Sequence, residues 1–190
     1  MIPADDGTPL CPGPETMETR QLFFTRVGSM LRESFEYAHS LGHLTCVGIE
    51  SLDGGIKKPQ ANVSSLDYFK GIFTRINRTY PIDYFWIWTP EGWAVRSDYS
   101  IPVTDPSVQI PVKDMLAAHQ ARKDLGLDQT LKLATCGWTV GPRVQREYFD
   151  TVLPTDGWTI SSINEALGNT DCESEYAKIT RHPKWSIPCE

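Results

Sequence analysis

Several signatures of common function classes are missing from this 190-residue chain. No GxGxxG or GxxxxGK turn follows any apolar run, so the main mark of a nucleotide-binding open sheet is absent. The five cysteines (Cys11, Cys46, Cys136, Cys172, Cys189) form no CxxC pair, and their spacing fits no zinc site. Basic residues are scattered and the net charge is −6, so no stripe exists to neutralise phosphates and nucleic acid is not an expected partner. The longest apolar runs are strand-length, so no membrane span is expected. Met1–Pro14 has neither a basic n-region nor an apolar h-region, so no signal peptide is visible and localisation stays open. No Ser-His-Asp order is arguable, and Gly137-Trp138-Thr139-Val140-Gly141 is not a nucleophile elbow. Cys46, Cys136 and Cys189 fall in expected strands, as small buried thiols do.

What is present is a repeating alternation. Residues 1–19, with four prolines and two glycines, read as a flexible tail or truncated linker, and residues 20–190 as one domain. Leu22, Val27, Met30, Leu31, Phe35, Ala38 and Leu41 recur at helical spacing up to Gly42. A short strand over 44–49 ends in Glu50. Ser64 to Asp67 opens a second helix like a capping box, with Leu66, Phe69, Ile72, Phe73 and Ile76 on one face. Asp83 to Trp88 is an aromatic strand without polar alternation, so both its faces should be buried; it breaks at Thr89-Pro90. A third helix is expected from Pro111 to Gly126. Strands over 131–136 and 158–163 follow, each with a helix after it (143–152 and 173–179), and a fifth strand opens at Trp185.

This order predicts a parallel sheet with right-handed crossovers. An open doubly wound sheet and a closed (β/α)8 TIM-barrel-like fold are the two candidates. Acids and tryptophans follow several different strands, which is the barrel habit. Five strands cannot close an eight-stranded barrel, so a partial barrel of about five parallel strands is expected, from a longer or truncated catalytic domain. Its open edges would favour further domains or a complementing barrel segment as partner.

Strand ends would then present Glu50, Glu91 beside Trp88 and Trp93, Trp138, Asn164 with Glu165, and Glu190. A bowl of carboxylates and indoles suits sugars, whose C–H faces stack on tryptophan. Glycoside hydrolysis needs one protonated and one ionised carboxylate. Glu91, among indoles, is the candidate acid, because an apolar setting raises a carboxyl pKa. Glu50 is the natural second carboxylate, with Glu165 and Glu190 as rivals. Glu165 equally fits a helix N-terminal acid, and Glu50 a loop cap. Neighbouring strand tips allow the retaining (roughly 5 Å) or inverting (roughly 6.5–9.5 Å) separation. His39, His43, His119 and His182 are not at strand tips, and Lys132 and Lys184 lie at strand starts. No cofactor or metal is therefore expected. Trp158 and Trp185, at strand starts, read as core.

The segments 84–93, 133–138, 161–165 and 183–188 resemble parts of large glycoside-hydrolase-like proteins of polysaccharide breakdown, over Arg20 to the end. The resemblance implies a (β/α)8 barrel, a carbohydrate substrate and secretion. The alternative is a non-catalytic glycan-binding or degenerate barrel without turnover. A lyase or aldolase would want a lysine or metal at the tips.

Overall fold

The structure, a computed structural model, describes residues 15–51, 55, 58, 62–90, 101–136, 141–142, 145–164 and 176–188; for 136, 162–164 and 186–188 it describes the backbone alone. Helix α1 (Met17–Ser40) is followed by β1 (Cys46–Glu50), α2 (Ser65–Thr79), β2 (Tyr84–Trp88) and α3 (Pro106–Asp124). Then come β3 (Lys132–Cys136), α4 (Tyr148–Val152), β4 (Trp158–Asn164) and β5 (Lys184–Pro188). All four pairings are parallel, in the order β1-β2-β3-β4-β5. The protein is therefore α/β, with five parallel strands in one sheet among the described residues. Each strand pairs with its sequence neighbours, so the order never reverses as a doubly wound sheet requires. Among the described residues the sheet is also not closed: β1 and β5 are its edges.

Local chemistry sets the helix starts. Ser64 caps α2, its hydroxyl accepting from Asp67 N at 3.0 Å and donating to Asp67 Oδ2 at 2.7 Å. Asp105 caps α3 by accepting from Ser107 N at 2.9 Å, with Pro106 next. Pro111 thus lies inside α3 rather than opening it, a correction of five residues; the Asp-Pro pair is the stronger start. Thr16 caps α1, so that helix begins ahead of its apolar periodicity.

The core lies between one sheet face and α2 and α3. Register places Val47, Phe85, Leu133 and Trp158 in one row, with Ile49, Ile87, Thr135 and Ile160 in the next. Phe69 and Phe73 of α2 meet Phe85 with ring centroids 6.2 and 5.1 Å apart, and Met115 and Ala118 of α3 are fully buried in the same cluster. Trp158 is core, as expected. The opposite face carries Cys46, Gly48 and Glu50, then Tyr84, Trp86 and Trp88, then Lys132 and Ala134, then Thr159 and Ser161, then Trp185. Here Tyr84 of β2 and Trp185 of β5 touch edge to face at 4.6 Å. In a flat sheet these strands would be about 14 Å apart, so this face is curled and concave. Trp185 is accordingly a half-buried residue of the concave face rather than part of the helix-side core.

One expectation of burial is corrected. Trp86 and Trp88 are only half-buried. In α1, Leu22, Met30 and Leu41 are 49%, 57% and 56% exposed. Only one stripe of α1 rests on α2, at the point where Gly28 allows close approach: a Cβ there would lie 2.8 Å from Thr79 Cγ2. Of the expected 173–179 helix only 176–177 is helical among the described residues, and of the expected 143–152 helix only Tyr148–Val152.

Candidate functional site

Because every strand is parallel, all C-terminal ends share one rim. Glu50 is the last residue of β1, exposed, and stands in register beside half-buried Trp88, the last residue of β2. Both belong to the concave row, so a carboxylate and an indole lie side by side about 4.8 Å apart at the backbone. The ladder runs one step further, with Ser51 N donating to Trp88 O at 2.8 Å. That bond fixes the tip of β1 against β2. Ser51 and Thr89 are fully buried on the helix side of the same tips, and their hydroxyls have no hydrogen-bond partner among the described residues. Buried polar groups without partners cost free energy and gather where a fold is shaped for something other than stability.

Below the rim, Trp86 stands two residues from Trp88 on the same face, its buried Nε1 without a partner among the described residues. Tyr84, Trp86 and Trp88 thus form an aromatic ladder up β2, met at its base by Trp185. The i, i+2 spacing of the three rings was visible in the sequence, but the strand had no polar alternation to say which rings share the open face.

The loop after β1 is anchored beside this rim. Ser65 Oγ, at the start of α2, donates to Asp114 Oδ1 of α3 at 2.5 Å, and Lys58 Nζ donates to Ser65 Oγ at 3.3 Å. Asp114 is 4% exposed. Sequence reading missed it, since it looks like one more polar residue of an amphipathic helix.

Of the other expected site residues, Asn164 is the last residue of β4, its backbone in register with Pro188. Glu91, Trp93, Trp138, Glu165 and Glu190 lie outside the described residues, as does Cys189. The structure therefore brings together Glu50 and Trp88 alone.

The histidines sit at the other end of the sheet. His39 Nε2 is 2.8 Å from Asp83 Oδ2, just before β2. His119 Nε2 is 3.6 Å from Asp156 Oδ1, just before β4, and desolvation, with the charges of Arg122 and Lys123, holds its pKa below the ordinary imidazole value against the pull of Asp156. His182, before β5, has Nδ1 2.8 Å from Asp150 Oδ1 and Nε2 2.9 Å from Pro154 O, with both ionisable side chains buried. These networks staple the N-terminal ends of the strands, the stability end of a parallel sheet.

Lys132 and Lys184 begin β3 and β5; Lys184 Nζ is spent on the carbonyls of Tyr176 and Ile179, at 2.7 and 3.1 Å. Burial pushes the Cys46 thiol pKa up. Among the described residues no three His, Cys, Asp or Glu side chains gather as a metal site, and no helix is long and apolar enough to cross a membrane. No family model matches this chain, and no similar curated protein or solved structure was found.

Proposed function

We propose that this chain is a glycoside hydrolase, or part of one, built on a partial (β/α) barrel. The consecutive strand order and the curl that brings Tyr84 to Trp185 support the barrel reading over a flat α/β sheet. The observation that carries the functional reading is the pairing of Glu50 with Trp88 on the concave side of two adjacent strand tips. A pyranose ring stacked on the Trp88 indole would present its anomeric centre to a neighbouring carboxylate. Glu50, exposed at the rim, takes the role of nucleophile, or of base that takes a proton from water. Glu91, three residues beyond Trp88, is the proposed acid that protonates the departing glycosidic oxygen, and Glu165 is the rival of Glu50 for the second carboxylate.

The test is reducing-end release from a panel of polysaccharides by the wild-type chain, Glu50→Gln and Glu91→Gln, each first shown to be folded. Release that falls by a factor of about a hundred or more in each variant supports the assignment. Binding of the same glycans by all three proteins, with release by none, replaces the hydrolase with the glycan-binding alternative. Neither release nor binding from folded protein refutes both.

A further inference from the structure

Helix α1 carries more apolar surface than its own fold uses. Val27, Leu31, Phe35 and Ala38 are half-buried toward α2, and Phe35 meets the Tyr80 ring edge-on at 5.5 Å. A second stripe winds beside the first: Phe23 (58% exposed), Met30 (57%), Tyr37 (67%) and Leu41 (56%). With Val27 and Ser34 between them, these positions step by four and three residues alternately, from 23 to 41. That is the seam spacing by which one helix packs against another. From position 23 to position 41 the seam is about 27 Å long. An exposed apolar seam of that length marks an interaction surface.

The charges beside the seam choose the occupant. Arg26 and Glu33 flank it on the side away from α2, both exposed and neither with a partner among the described residues. A parallel pairing of two such helices sets Arg26 against Leu31 of the partner and matches no charge. An antiparallel pairing centred between Gly28 and Ser29 does three things together. It overlaps α1 along its whole length, Met17 to Ser40. It places Phe23 over the small Ser34 of the partner, and Val27 over the partner's Met30. It also sets Arg26 beside the partner's Glu33, twice, through the two-fold axis. A self-complementary patch of this kind is what an isologous dimer requires.

We propose that α1 is a dimerisation helix, pairing antiparallel with α1 of a second copy of this chain. The strand-tip rim is built from other elements, so this proposal stands or falls independently of the glycosidase reading.

Sedimentation velocity on the full chain over a concentration series tests it. Wild-type protein is expected to show a reversible monomer–dimer equilibrium. Met30→Asp, near the middle of the seam, should leave only monomer with an unchanged far-UV circular dichroism spectrum. Arg26→Glu turns two attractions into two repulsions, and the dissociation constant should rise about tenfold. Adding Glu33→Arg to that variant should bring the constant back to near the wild-type value, a recovery that misfolding cannot produce. Wild-type monomer at every concentration overturns the proposal and assigns the seam to some other segment or partner. A dimer indifferent to Met30→Asp, or one that the charge swap fails to restore, overturns it equally.

Discussion

Asp150→Asn offers the sharpest test of how the described part of the sheet is held together. The Asp150 carboxylate is 2% exposed. It accepts from the backbone N–H groups of Thr180, Arg181 and His182 at 3.0, 3.0 and 3.1 Å, and faces His182 Nδ1 at 2.8 Å. One side chain at the start of α4 therefore fixes the segment that leads into β5, thirty residues further on. Asparagine has the same shape but a single acceptor oxygen. Its amide N–H₂ must turn toward donors that previously bonded to the second oxygen. The loss is at least one hydrogen bond to a charged acceptor, about 1.5–3 kcal/mol, with a buried donor left unsatisfied at about 1–3 kcal/mol more. A cost of about 3 kcal/mol lowers the melting temperature of a domain this size by about 6–12 °C.

The same substitution predicts a change in pH dependence. Burial pushes the Asp150 carboxyl up, but the Thr180 N–H, the His182 ring and the Arg181 N–H outweigh it and hold the group below its ordinary value. A depressed carboxylate contributes stability above its unfolded pKa of about 3.9 and loses it as pH falls through the lower folded value. Urea unfolding of wild type and variant from neutral pH downward is the assay. Wild type should lose stability below about pH 4 more steeply than the variant does. A cost under about 1 kcal/mol near neutrality, or parallel acid limbs, would refute the view that Asp150 is the anchor.

Gly157 (φ +80°) and Gly126 (φ +66°) share a left-handed backbone but not their surroundings. A Cβ at Gly157 would lie 1.7 Å from Nη1 of buried Arg122, whereas nothing lies within 4 Å of one at Gly126. Thermal melting should therefore find Gly126→Ala costing about 1 kcal/mol and Gly157→Ala clearly more, about 3 kcal/mol, since Arg122 must give up its bonds to the Leu131 and Asp156 carbonyls. Equal costs would mean that Arg122 is not held as described. At the rim, Trp88→Ala should raise KM on an active polysaccharide about tenfold with little change in kcat, because a stacking platform binds ground and transition states alike; an unchanged KM removes Trp88 from the site. At the start of β2, Asp83 accepts from Thr45 N at 2.7 Å and faces His39 at 2.8 Å. Asp83→Ala should expose α1 to limited proteolysis ahead of the rest of the chain, and wild-type resistance would count against that tether.

Much of the fold was legible because its signals are short-range. Strands over 44–49, 83–88, 131–136 and 158–163 announced themselves as apolar runs between turn residues, and each is a strand within two residues of those bounds. Ser64 announced α2 by capping chemistry confined to four residues. Pro111 misled because proline restricts only its own turn, and the Asp105-Pro106 pair supplied a better start five residues earlier. In α1 the apolar positions were read as helical spacing alone. Two stripes on one helix have the same composition as one broad face, and only a neighbouring helix divides them.

By itself, then, the sequence determined the succession of elements and the parallel α/β class, since alternation of strands and helices leaves few other ways to bury both. It also marked Glu50 and Trp88 as strand-tip residues. Tertiary structure alone decided that the two stand side by side in register, that among the described residues the sheet stays open yet curls until Tyr84 meets Trp185, and that Asp150 anchors His182. These relations join residues some thirty to a hundred positions apart. Register, sheet curl and helix docking set such distances, and no local preference of the chain encodes them.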